Sequence, residues 1–134
     1  MRIVGRVVVA FAGAVVTIGC GDDGSAGPPP SDIDRMAPFT SLSPSQLGEL
    51  CDWSNAQLGG YGRMETCKGG NTVSTLPSHD VCVAHPPPST CPATVGQVED
   101  CVTALAPKSS SLCALASSFP PACAALRPSC AVFI

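Results

Sequence analysis

Apolar positions recur along this chain with three different periods. Residues 7–18 are an apolar run behind Arg2 and Arg6. From residue 43 the pattern turns helical: Leu47, Leu50, Cys51, Ser54 and Leu58 fall on one face, while Glu49, Asp52 and Gln57 fall elsewhere. Ser43-Pro44-Ser45-Gln46 reads as the start of that helix, with Ser43 as N-cap, Pro44 in the first helical position and Gln46 closing a capping box; Gly59-Gly60 stops it. A second stripe, Val95, Val98, Cys101, Val102 and Leu105, follows the box Thr94-Val95-Gly96-Gln97, lies opposite Glu99 and Asp100, and ends at Pro107. Between the two helices, residues 63–68 and 71–76 are rich in Thr and Val around Gly69-Gly70, which predicts a hairpin with Cys67 on its first strand. Three shorter helical segments are expected: His79–Ala84 behind Ser78, carrying Cys82 and ending before Pro86-Pro87-Pro88; Leu112–Ser117, carrying Cys113; and 122–126, carrying Cys123.

These elements add up to a mainly α domain of 43–134 with one short hairpin. The domain is short of large apolar residues, so its core must be thin and padded with alanine. Cysteine changes that picture. Of the 9 cysteines in 134 residues, Cys51, Cys67, Cys82, Cys91, Cys101, Cys113, Cys123 and Cys130 fall inside the domain, 7 to 16 residues apart. In an exported chain that density reads as a frame of four disulfides substituting for a large core. The connectivity is open; a bridge between Cys82 and Cys101, joining the helices on either side of the 86–93 loop, is the expected one.

The amino-terminal stretch supplies the export signal. Residues 1–19 have a basic start, an apolar segment of 12 residues and a small residue before Cys20, too short a run for a permanent membrane helix. Gly19-Cys20 at the cut resembles a bacterial lipoprotein precursor, with Thr17 where leucine is commonest. The resemblance implies that Cys20 is acylated and anchors the chain in a membrane. Setting Cys20 aside also leaves an even eight cysteines for bridging. The same resemblance implies the outer membrane of a Gram-negative envelope, because Gly21 stands in the position where aspartate holds lipoproteins at the inner membrane. Residues 20–42, rich in Gly, Asp, Ser and Pro, read as a disordered spacer without a core.

Charge and motifs exclude several function classes. The net charge is -3, and losing Arg2 and Arg6 makes it 5 basic minus 10 acidic residues, or -5; neither value leaves a nucleic-acid footprint or a polybasic membrane patch. The closest cysteines, Cys123 and Cys130, and the histidines His79 and His85 lack metal-ligand spacing, so no metal or cofactor is expected. A CxxC beside a βαβ unit, a GxSxG elbow and a P-loop are all missing. Gly59-Gly60-Tyr61-Gly62 follows a helix and reads as a cap and turn. His79-Asp80 and Glu99-Asp100 are sequence neighbours pointing to different helix faces, so the first reads as a helix start and the second as a solvated face, not as a catalytic relay or a glycosidase pair. Trp53 and Tyr61, the only Trp and Tyr, would make the best recognition patch if both were exposed. Phe133-Ile134 packs back on the core or forms an apolar tail.

The stretches LSPSQLGELCDW, GGYG, TVGQVEDCV and PACAALRPSC resemble cysteine-rich lipoproteins of the myxobacterial type over 42–130. That resemblance implies an extracytoplasmic domain and carries over no activity and no site. Plant lipid-transfer proteins share helices stapled by eight cysteines, but their adjacent Cys pair and CxC element are absent here. With no catalytic constellation in the sequence, the expected function is a non-catalytic interaction module at the cell envelope, with an envelope or extracellular partner. A small extracytoplasmic hydrolase or a purely structural envelope component are the alternatives.

Overall fold

The computed structural model describes residues 27–130. The signal segment, Cys20 and Phe133-Ile134 lie outside these described residues. Four α-helices, α1 (Pro44–Gln57), α2 (His79–Ala84), α3 (Val95–Leu105) and α4 (Leu112–Ser117), and a hairpin of β1 (Met64–Thr66) and β2 (Thr72–Ser74) make up a mainly α, disulfide-rich fold. Short 3₁₀ turns at Phe39–Ser41, Ala106–Lys108 and Pro121–Leu126 complete it.

Both capping boxes form. Ser43 Oγ accepts from the Gln46 amide while Gln46 Oε1 accepts from the Ser43 amide, and Thr94 and Gln97 repeat the exchange at α3. Each box satisfies two of the amides that a helix start leaves without an intrahelical partner. At the other end of α1, Gly59 and Gly60 adopt positive φ and the Gly60 amide returns to Asn55 O at 2.6 Å, which halts the helix where the glycine pair stands. α3 ends at Leu105, two residues before Pro107, and the chain tightens into the Ala106–Lys108 turn, where a proline needs no amide partner.

The hairpin pairs Met64 with Ser74, Glu65 with Val73 and Thr66 with Thr72. Its turn spans 67–71, with the Gly70 amide bonded to Cys67 O and the Cys67 amide to Asn71 O; Cys67 therefore sits at the start of the turn and not on the first strand. No hairpin residue is fully buried. Polar contacts hold the ribbon to the body instead. Arg63 Nη1 donates to Leu58 O at 2.6 Å and Ser109 O at 2.7 Å, and Glu65 accepts from Ser111 Oγ and the Leu112 amide.

All eight cysteines of the domain are bridged: Cys51–Cys82, Cys67–Cys113, Cys91–Cys130 and Cys101–Cys123. The expected Cys82–Cys101 bridge does not form. α2 packs on α1 and α3 packs on the Pro121–Leu126 turn, so Cys82 meets Cys51 and Cys101 meets Cys123. The closed loops span 22 to 46 residues, each restricting the unfolded chain by about 3–4 kcal/mol in the loop-entropy picture.

The spacer expectation for 20–42 fails over its described part, 27–42. Ile33 and Phe39 are fully buried in the core beside Leu50, Val95, Val98 and Leu105, with Ala37 and Leu42 packed against them. The reason lies at α3. Its first two amides, Val95 and Gly96, donate to Ala37 O and Arg35 O at 3.0 and 2.8 Å, and the Phe39 amide donates to Ala93 O at 2.9 Å. The segment is a strap that finishes the helix start left incomplete by the Thr94 cap. At its beginning, Gly27 O accepts from Trp53 Nε1 at 2.9 Å and Gln57 Nε2 at 3.0 Å.

Gly96 makes this approach feasible, since a Cβ there would stand 3.0 Å from Arg35 O. Alanine normally stabilises a helix interior over glycine by about 1 kcal/mol. Here Gly96→Ala is expected to lower stability in urea melts, because the strap must shift. Phe39→Ala should cost about 3–5 kcal/mol. A chain beginning at Gly27 should keep the full-length melting temperature, and one beginning at Ser43 should lose much of it.

Candidate functional site

The Trp53–Tyr61 patch is not on the surface. Trp53 is only 8 % exposed and its indole N–H is committed to Gly27 O; Tyr61 is half-buried and donates its hydroxyl to Asp52 Oδ1 at 2.9 Å. The strap explains the difference, because it brings Gly27 over the α1 face that carries Trp53.

The same hydrogen bond leads to the most chemically suggestive cluster among the described residues. The Cys51–Cys82 bridge lays α2 along α1 and sets Asp52, one residue after Cys51, beside His79, three residues before Cys82. His79 Nδ1 lies 2.8 Å from Asp52 Oδ1, with both side chains about half exposed. The ring rests on Gly48, one helical turn before Asp52, where a Cβ would come within 2.9 Å of His79 Cε1. Asp52 is thus the carboxylate that His79 uses, while Asp80 sits in the first turn of α2. From the sequence alone nothing links residues 52 and 79; a known Cys51–Cys82 pairing would have done so.

The bond to Asp52 raises the His79 pKa above its ordinary 6.5; partial desolvation opposes this, and the charges of Asp52 and Asp80 reinforce it. The Tyr61 phenol is pushed up as well, by burial first and then by the bond to and charge of Asp52, with Asn55 acting against them. With Nδ1–H directed at Asp52, neutral His79 keeps Nε2 as a proton acceptor, the base half of a hydrolytic relay. Among the described residues no hydroxyl or thiol is hydrogen-bonded to that imidazole, so the nucleophile half is not assembled. Nor do the described residues include a group of three or more His, Cys, Asp or Glu placed to hold a metal ion.

Glu99 departs from the solvated face expected of it. Asp100 is exposed, but Glu99 is 1 % exposed under the strap, with Oε2 at 3.0 Å from Arg35 Nε. The contact is an ion pair without hydrogen-bond alignment, and neither carboxylate oxygen has a hydrogen-bond partner. Arg35 also reaches Asp100 Oδ1 at 2.6 Å. Glu99 borders a cavity of about 240 Å³ lined by Pro29, Pro30, Ser31, Ile33 and Arg35. Burial raises its pKa, Arg35 opposes the rise and Asp100 adds to it.

No family model matches the chain, and neither curated proteins nor solved structures include a significant match.

Two outcomes follow from these charges. Stability from the Asp52–His79 pair is complete below the ordinary histidine pKa and is lost as pH rises through the raised folded value. An NMR titration should therefore place His79 above 6.5, and Asp52→Asn should bring it down. At Glu99 the folded carboxyl resists ionisation, so stability falls as pH rises from the ordinary carboxyl range through the raised value. Glu99→Gln should flatten that dependence with little loss of stability at neutral pH. Arg35→Ala should cost about 1–3 kcal/mol by stranding the buried carboxylate.

Proposed function

We propose that the chain is a lipid-anchored, cysteine-rich module of a bacterial cell envelope, carried by acylated Cys20 at the outer membrane and acting without catalysis through contact with an envelope or extracellular partner. One observation carries the reading: the eight cysteines of the domain are all paired with one another. A frame so fully oxidised fits an extracytoplasmic compartment, and it leaves Cys20 as the one cysteine of the nine without a role in bridging. The basic start, the apolar run 7–18 and Gly19-Cys20 supply a reason for that residue to stand apart. The resemblance of 42–130 to cysteine-rich lipoproteins agrees with it.

The interaction reading draws on how the polar side chains are engaged. Asp52, Tyr61 and His79 satisfy one another, and Arg63 and Glu65 clasp a hairpin that adds no fully buried residue to the core. With only Val73 of its strands packed against the core, the hairpin leaves Met64, Thr66, Thr72 and Ser74 exposed, a surface open to contact with a partner. The hydrolase alternative has one specific support, the Asp52–His79 pair.

Intact mass of the native full-length product, taken before and after alkylation under non-reducing denaturing conditions, tests the anchor and the frame. The expected result is a chain starting at acylated Cys20 that takes up no alkylating reagent. Free cysteines or an uncleaved amino terminus would overturn it. Turnover of p-nitrophenyl esters that disappears in His79→Gln would move the assignment to the hydrolase.

A further inference from the structure

The four disulfides differ in how far a reagent can reach them. Cys51, Cys82, Cys91, Cys130, Cys101 and Cys123 are all buried, at 0 to 5 % exposure. Cys67 and Cys113 are both half-exposed, and together they form the wall of an open cavity of about 570 Å³. Thr66, Lys68, Ser111 and Ser117 line the same space. Thiol–disulfide exchange needs a thiolate to approach one sulfur, and among the four bridges this one alone combines partly exposed partners with room for the attacking group. The Lys68 ammonium in the same wall favours an anionic attacker. Glu65, the carboxylate there, is already held by Ser111 Oγ and the Leu112 amide, whose hydrogen bonds keep its pKa below the usual carboxylate range.

What the bridge joins matters as much as its accessibility. Cys67 stands at the hairpin turn and Cys113 in α4. Cys51–Cys82 lies wholly in the first half of the domain, and Cys91–Cys130 and Cys101–Cys123 lie wholly in the second; only Cys67–Cys113 crosses between the halves. The hairpin has no buried residue to keep it seated without the bridge, only the bonds of Arg63 and Glu65 and the partly buried Val73 and Leu76.

We propose that Cys67–Cys113 is a thiol–disulfide exchange site whose substrate partner is a dithiol reductant, and that opening it releases the hairpin while the other three bridges hold the fold. A thiolate of the reductant bonds to one sulfur of the pair, and the Cys67–Cys113 bond breaks. The departing sulfur leaves as a thiolate and takes a proton. The second thiol of the reductant then displaces the remaining cysteine. The reductant ends as a disulfide, and the two electrons and two protons reside on Cys67 and Cys113. The chain is the substrate of this exchange, not its catalyst, and the inference does not depend on the Cys20 anchor.

The test uses the full-length native protein with dithiothreitol as the probe. Timed aliquots are quenched by acid, alkylated and mapped by mass spectrometry, with amide hydrogen exchange run in parallel. The first product should carry two labels, on Cys67 and Cys113, forming about tenfold or more faster than any other pair opens. Exchange protection should fall across 63–76 and persist in α1 and α3. A different pair labelled first, four bridges lost together, or a hairpin that keeps its protection after labelling would each overturn the proposal. Labels acquired before any reductant is added would instead count against the fully paired frame behind the proposed function, so the two failures are told apart.

Discussion

Four disulfides carry what the thin core cannot, and they link the whole domain, because the loop of Cys67–Cys113 overlaps that of every other bridge while the other three fall into two sets that do not overlap each other. Together the four closed loops restrict the unfolded chain. This restriction does the work for which a larger domain would use apolar surface. Total stabilities of small domains are on the order of 5–15 kcal/mol, a sum that four bridges at about 3–4 kcal/mol each can match. The core that remains is centred on Phe39, Leu50, Val95, Val98 and Leu105 and needs only to fix the packing of elements that are already joined.

The second constraint is polar and lies at the first turn of α3. A helix start buried under other structure must place its amides, and α3 divides them between its own cap, Thr94, and the carbonyls of a segment that comes from far upstream. The strap in turn covers Glu99, which explains how a carboxylate comes to lie in the core with Arg35 as its counter-charge. Burial of Glu99 is therefore a cost of covering α3 with a segment that carries its own arginine.

Local signals in the sequence were the legible part. Both capping boxes, the glycine stop after Leu58, the hairpin and every short helix stand where spacing and cap chemistry put them, because those rules act within a few residues. The strap was not legible. Pro28-Pro29-Pro30 and the surrounding Gly, Ser and Asp have the composition of a spacer, and Ile33 and Phe39 are too sparse to form a periodic pattern. Their burial depends on amides sixty residues away. The Asp52–His79 pair and the choice of Cys51 for Cys82 share this limit, since both follow from which helix packs on which. Trp53 illustrates the same point from the other side: an indole that composition alone would offer to a partner is covered by a backbone carbonyl from its own chain.

The contact between Gly27 and Trp53 sets a distance. If Cys20 carries the lipid, a chain free until Ser43 could hold the domain roughly 80 Å above the bilayer, at about 3.6 Å per residue. With Gly27 fixed on α1, only seven residue steps remain, and the ceiling falls to about 25 Å. A module anchored through Cys20 on so short a leash would not reach distant structures. Under that anchor it would work close to the lipid headgroups, and a partner would have to come to it there.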